Sequence, residues 1–199
     1  MPARKTDTEQ RQDQIVQAAL DLINDSGITG LSIAGIAQRV GIVPSALYRH
    51  FSSKDAVLDA VLNLIETRLL ANVSYAGKLA SGPLEQLRLL FRRHIAMLNE
   101  NQAIPHVVFS DAVYTGDPGR KARIARTIAT YLKEVEAIIA RGKEDGSIRM
   151  DVVPATAAVM FLGMIMPAAV LWNISEKKFD IAFHVKTAWP MFEHAVAVK

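Results

Sequence analysis

The sequence predicts an all-α protein: an amino-terminal three-helix domain of helix-turn-helix type, followed by a larger helical domain. Three observations lead there. Runs of alternating β-branched residues are absent, and apolar residues recur three and four positions apart along most of the chain. Glycine, proline and serine also stand where helices of that length need to start and stop, as at Gly27, Gly41, Pro44 and Ser81-Gly82-Pro83.

The first helix is expected over about Glu9 to Ser26, with Ile15, Ala19, Leu22 and Ile23 on one stripe and Gly27 as its stop. Ser32 is placed to cap a second helix whose inward face is Ile33, Ile36, Ala37 and Val40, ended by Gly41. Pro44 suits the first turn of a third, very short helix, because its missing amide would be unpaired there anyway. Leu47 and Phe51, four apart, anchor that helix to the core. Ser52 or Ser53 caps a fourth helix that buries Val57, Leu58, Val61, Leu62 and Ile65 and runs to about Asn72. A fifth is expected from Pro83 to about Asn101, a sixth from Ala103 to Tyr114, and a long seventh from the Gly116-Asp117-Pro118-Gly119 turn to near Arg141. Gly146 to Asp151 reads as a loop, Pro154 to Trp172 as an apolar eighth helix, and Phe179 to Val198 as a ninth, interrupted or bent at Pro190. The domain boundary falls between residues 1–55 and 56–199, with the fourth helix, about 54–72, linking the two.

At 199 residues and 50% hydrophobic composition the chain can bury a substantial core. The absence of cysteine excludes disulfides and thiolate metal sites and fits a reducing, cytoplasmic setting. The amino terminus lacks the apolar stretch of a signal peptide. Val152 to Trp172 carries no charge and is long enough to span a membrane. It also contains Pro154, Thr156, Gly163 and Pro167 and has no second spanning partner, so the preferred reading is a helix buried in a core or an oligomer interface.

Function is written most clearly between Ser26 and Lys54, a stretch with no acidic residue that holds Arg39, Arg49, His50 and Lys54. Two short crossed helices with an acid-free outer face suit the DNA major groove. The net charge does not make that case. Up to Asp55, six bases (Arg4, Lys5, Arg11, Arg39, Arg49, Lys54) balance six acids (Asp7, Glu9, Asp13, Asp21, Asp25, Asp55), so it is the placement of the charges that matters.

Residues Arg11 to Leu62 resemble the TetR family, the tetracycline-repressor-like bacterial transcription regulators. The resemblance is carried by Ile15, Ala18-Ala19-Leu20, Gly27, Leu31-Ser32, Ile36-Ala37, Val40-Gly41 and above all Ala46-Leu47-Tyr48-Arg49-His50-Phe51-x-x-Lys54. At the matched positions, Tyr48 and Lys54 offer a phenolic hydroxyl and an ammonium for phosphates. Ser32 offers a hydroxyl beside free amides at a helix start. Ser45, Ala46, Arg49 and His50 are expected to face base edges, with Arg49 able to contact guanine bidentately. Arg4 and Lys5, on an amino-terminal arm, add phosphate or minor-groove contacts. The chain departs from the family pattern at Val43, where a hydroxyl residue commonly caps the third helix, and at Ala46, which brings only a methyl group.

The resemblance further implies a homodimer that binds a palindromic operator in double-stranded DNA, and a carboxyl-terminal pocket for a small, largely apolar effector that releases it. Pocket candidates are Leu90, His94, Met97, Leu98, His106, Phe109, Tyr114, Phe161, Met164 and Ile165. The apolar eighth helix, with Ile181, Phe183, Val185, Trp189, Phe192 and Val196 of the ninth, provides material for a four-helix subunit interface. The sequence is also compatible with two other readings: a ligand-binding protein whose front domain no longer binds DNA, and a membrane-anchored helical protein. No cofactor, metal site or catalytic activity is expected, since the five histidines show no ligand spacing and no nucleophile elbow or phosphate loop occurs.

Overall fold

The computed structural model describes residues 7–114, 116–175 and 178–198; among them it holds helices and turns, and no strand. The helices are α1 (Asp7–Ser26), α2 (Ile33–Val40), α3 (Pro44–Leu47), α4 (Lys54–Leu79), α5 (Pro83–Glu100), α6 (Ala103–Val108), α7 (Asp111–Tyr114), α8 (Pro118–Glu144), α9 (Pro154–Gly163), α10 (Met166–Ile174) and α11 (Ile181–Val196). Contacts gather them into two compact units, one of residues 1–66 with Asn101–Ile124, the other of Thr67–Glu100 with Ala125–Lys199. Helices α4 and α8 contribute to both.

In the first unit, α1 packs on α2 and on α6, and α2 on α3. The core is built from Ile15, Ala19 and Ile23 of α1, Ile36 and Ala37 of α2, Leu47 of α3, and Val57, Leu58, Val61 and Leu62 of α4. The expected local signals set the helix ends. Ser32 has extended backbone and its Oγ accepts from the Gly35 amide at 3.1 Å, satisfying one of the free amides at the start of α2. Gly41 sits at φ 72°, where a side chain would be strained, while the next amide, of Ile42, donates back to the Ala37 carbonyl at 3.0 Å. Of the two serines offered as the α4 cap, Ser53 does the work, accepting from the Ala56 amide at 3.0 Å. The fourth helix is longer than expected, continuing past Asn72 to Leu79. Helices α6 and α7 belong to this unit because α6 lies against α1.

Two expected single helices are each a pair. The stretch from Ala103 to Tyr114 breaks at Phe109-Ser110, where the Ser110 Oγ donates to the Val107 carbonyl at 2.8 Å. A serine hydroxyl that takes up a nearby carbonyl competes with continuation of the helix. The apolar stretch from Pro154 to Trp172 breaks at Met164-Ile165, because Pro167 has no amide to give and its ring crowds the preceding turn. At the break, the Met164 carbonyl is met by the His184 Nε2 at 2.7 Å. That stretch is long and apolar enough to cross a membrane, but a third of it is already buried inside this single chain.

The second unit packs α11 and α10 on α5, and α10 on α9. Phe91, Phe161, Trp189 and Phe192 form its aromatic centre, with ring centroids 5.7 to 6.2 Å apart. Pro190 does not interrupt α11, which runs through it. The expected loop near Gly146 is pinned to the end of that helix: the Arg149 amide donates to the Val196 carbonyl at 2.9 Å and the Val198 amide to the Ser147 carbonyl at 3.1 Å. Ile148 is thereby buried against Gly142, where a Cβ would come within 2.6 Å of its side chain.

Phe91, fully buried and touching rings from α9 and α11, is the centre of this packing. Phe91→Ala is expected to lower stability by about 3–5 kcal/mol, read as the shift in a urea unfolding curve followed by circular dichroism. A loss below about 1 kcal/mol would show that the aromatic centre does not hold the unit together.

Candidate nucleic-acid interface

The candidate interface lies on the first unit and is carried by α2, α3 and the start of α4. Ser32, Ser45, Tyr48, Arg49 and Lys54 are all exposed, and Ala46 and His50 are half-buried. Tyr48, at the end of α3, leaves 55% of its surface to solvent although Leu47 beside it is fully buried. A four-residue helix places one large side chain in the core and turns the next outward. Lys54 begins α4 immediately after its Ser53 cap, so an ammonium stands beside the positive end of a helix macrodipole. Such a pairing is unfavourable for the isolated chain and favourable once an anion is bound.

The geometry sharpens three of the expectations. Arg39 of α2 is paired with Asp25 of α1, so the acid-free run has one cation already committed inside the unit. The sequence signal was present, because Asp25 lies one residue before the run begins, but only the packing of α1 on α2 brings it to Arg39. His50 points less freely outward than expected, since its Nδ1 is shielded and without a hydrogen-bond partner. Any outward contact is left to its other ring nitrogen. Val43 precedes α3 with no side-chain cap, as its identity requires. Arg4 and Lys5 lie outside the described residues.

The pocket candidates divide. His94, Met97 and Leu98 of α5, Phe161 of α9 and Ile165 are buried in the second unit, together with Leu90; Met164 there is half-buried. His106 and Phe109 are instead exposed on the first unit, where they line an open groove of about 490 Å³ with Ile28, Leu31, Lys54 and Leu58. Only the backbone of Tyr114 is described. The split arises because α6 follows α1 and leaves α5 behind at Asn101.

Within the second unit, sequence reasoning missed the partner of His94. Its Nδ1 lies 3.0 Å from the hydroxyl of Tyr131 on α8, the two rings meet edge to face, and both are buried. Nothing local marks the pair, which is 37 residues apart. Burial lowers the His94 pKa to about 4 and raises that of Tyr131, so both are neutral at neutral pH. Neutral imidazole and phenol then form a buried polar pair. Nearby, Asn72 of α4 is also buried, donating to the Met97 sulfur and accepting from Arg93 Nε at 3.3 Å.

Residues 15–61 match the family model of bacterial regulatory proteins of the tetR family, and residues 59–195 match that of the YsiA-like protein, C-terminal region. The chain belongs to the TetR family and is a DNA-binding transcriptional regulator. It is similar to the nucleoid occlusion factor SlmA of Alteromonas mediterranea, 28% identical over 68% of this chain and 70% of that protein. It is similar also to the fatty acid metabolism regulator protein of Bacillus subtilis, 20% identical over 84% of this chain and 86% of that one. The fold is shared with the crystal structure of FadR from Bacillus subtilis in complex with stearoyl-CoA, with a TM-score of 0.76 and 19% identity over 90% of this chain and 96% of that chain.

The buried histidine makes stability depend on pH with a definite sign. An unfolded chain takes up a proton at His94 near pH 6.5, whereas the folded chain resists until about 4. Between those values the unfolded state binds more protons, so stability falls as pH falls; above about pH 7 the group contributes nothing. The unfolding free energy at pH 5 is expected to be about 2 kcal/mol less, from this group alone, than at pH 7.5. Urea titrations of the wild type and of His94→Leu at the two pH values isolate it, and an equal pH dependence in both would refute the assignment.

Proposed function

We propose that this regulator is a repressor that binds a palindromic operator as a homodimer and is released when an apolar effector enters its second unit. In this reading residues 1–55 are the DNA-binding domain, residues 56–199 hold the effector site and dimer interface, and α4 links the two. The observation that carries it is the α2–Gly41–α3 turn, which leaves Tyr48, Arg49 and Lys54 in water while Ile36, Ala37 and Leu47 hold the turn to its core. Tyr48, Lys54 and the amides beside Ser32 contact phosphates and set the register. Arg49, with Ser45, Ala46 and His50, meets base edges, and Arg4 and Lys5 reach the backbone or minor groove. Two such helices in a dimer enter successive major grooves about one helical turn apart.

The effector site is drawn among His94, Met97, Leu98, Phe161, Met164 and Ile165, with the His94–Tyr131 pair as the polar group that orients a ligand. The likeness to the FadR–stearoyl-CoA structure and to a fatty acid metabolism regulator supports a long acyl chain, carried as a coenzyme A thioester, as the first effector to test. Effector binding shifts α4 and with it the separation of the two recognition helices, so DNA and effector weaken each other's binding by the same factor. The protein acts in the cytoplasm and needs no catalytic step.

The dimer face is drawn on α9, α10 and α11, where Val159, Met160, Leu171, Phe183 and Met191 leave between 44% and 74% of their surface in water. Apolar side chains exposed together on neighbouring helices of one unit mark an interaction surface. A double substitution Phe183→Glu with Met191→Glu is expected to halve the mass measured by sedimentation equilibrium; an unchanged dimer would place the interface elsewhere.

DNA binding is tested by fluorescence anisotropy on the tightest duplex recovered from a random-sequence library. Tyr48→Phe and Lys54→Ala are each expected to weaken binding about tenfold, and Lys54→Ala to lower the slope of log affinity against log salt by about two, one phosphate from each subunit. Unchanged affinity and slope in both would refute the site. Stearoyl-CoA added to the wild-type complex is expected to release the duplex, and free coenzyme A to leave it bound.

A further inference from the structure

A polar seam runs between α4 and the start of α8 in the first unit. Asp55, Asp59, Asn63 and Glu66 lie three or four residues apart along one face of α4, bordering the buried apolar stripe of that helix. Two arginines from the first turns of α8 meet them. Arg120 Nε donates to Asp59 Oδ1 at 2.7 Å, and its Nη2 donates to the carboxylate and the backbone carbonyl of Asp55 at 3.0 and 3.3 Å. Arg123 donates to Glu66 Oε2 at 2.8 and 3.0 Å and to Asn63 Oδ1 at 2.7 Å. The start of α8 is itself held, since Asp117 Oδ1 accepts from the Gly119 and Arg120 amides.

Arg120 is the unusual member. Its side chain is only 9% exposed, whereas the two aspartates it holds are 69% and 51% exposed. A guanidinium taken out of water toward carboxylates that stay in it gains little as a stabilising pair. What it supplies is geometry: a rigid planar fork that engages two successive turns of α4 and the backbone of Asp55. Asp55 is the residue next to Lys54.

We propose that Arg120 is a positioning residue for DNA binding, which sets the first turn of α4 so that Lys54 meets its phosphate. The inference rests on the reading of Lys54 as a phosphate contact, and the arms of the test separate the two. A residue that acts only through Lys54 has no effect of its own once Lys54 is removed, so the double variant shows a coupling that independent sites lack.

The experiment uses the full-length protein and the selected duplex, with Arg120→Ala, Lys54→Ala and the double variant titrated across a range of salt. Arg120→Ala is expected to weaken binding about tenfold and to lower the salt slope as Lys54→Ala does. The double variant is expected to bind within about twofold of Lys54→Ala alone. A purely structural role for Arg120 would lower the unfolding midpoint yet leave the salt slope of the folded protein at its wild-type value, and that result overturns the proposal. So does a double variant whose loss is the product of the two single losses. If Lys54→Ala itself binds normally, the phosphate contact fails and the proposal with it. Should Arg120→Ala not fold, Asp59→Ala, which removes the acceptor on a half-exposed side chain, takes its place with the same expected coupling.

Discussion

Burial of one continuous apolar stripe on α4 is the constraint to which the rest of the structure answers. Val57, Val61, Ile65, Leu69, Val73 and Ala76 follow one another at spacings of three and four, and all are buried. The stripe begins in the core of the first unit and ends in that of the second, so neither core is complete without this helix. The hydrophobic effect fixes which side of α4 faces inward, and the border of that stripe is left for charge. Arg120 and Arg123 occupy that border, which makes α8 the second helix common to both units.

The interface on the first unit follows from this arrangement and from backbone economy. A chain made of helices must satisfy the amides and carbonyls at every helix end. Ser32, Gly41 and Ser53 do so within a few residues of where they stand. Because these caps are local, the outward-facing residues between them need no long-range contact to reach the surface. This TetR-family regulator thus presents its outward-facing residues on a frame whose geometry is mostly short-range.

The legible and illegible parts of the chain divide along the same line. The α2–Gly41–α3 turn was readable because each stop and start is a single residue acting on its own neighbours. The break at Ser110 was not, since a buried serine donating to a carbonyl three residues back looks in sequence like any polar residue on a helix. Pro167 was visible, but the break it accompanies also sets the Met164 carbonyl against His184, 20 residues away, a partner that local spacing does not reveal. The charge pattern was read correctly in outline and overcounted in detail, because Asp25 reaches Arg39 only across the packing of two helices. Among the pocket candidates, His94, Met97, Leu98 and Phe161 lie buried in the second unit and His106 and Phe109 exposed on the first, since nothing in a six-residue helix says which neighbour it will join.

By itself the sequence determined the helical class, the helix-turn-helix with its caps, the outward placement of Tyr48 and Lys54, and the family. All of these depend on interactions within about one helical turn, which spacing and residue type encode directly. Only the tertiary structure decided that α6 and α7 join the amino-terminal unit, that His94 meets Tyr131 in a buried core, and that Arg120 reaches back 61 residues to Asp59. Those outcomes turn on which distant surfaces bury each other, a choice made by the summed packing of whole helices and carried by no single stretch of the chain.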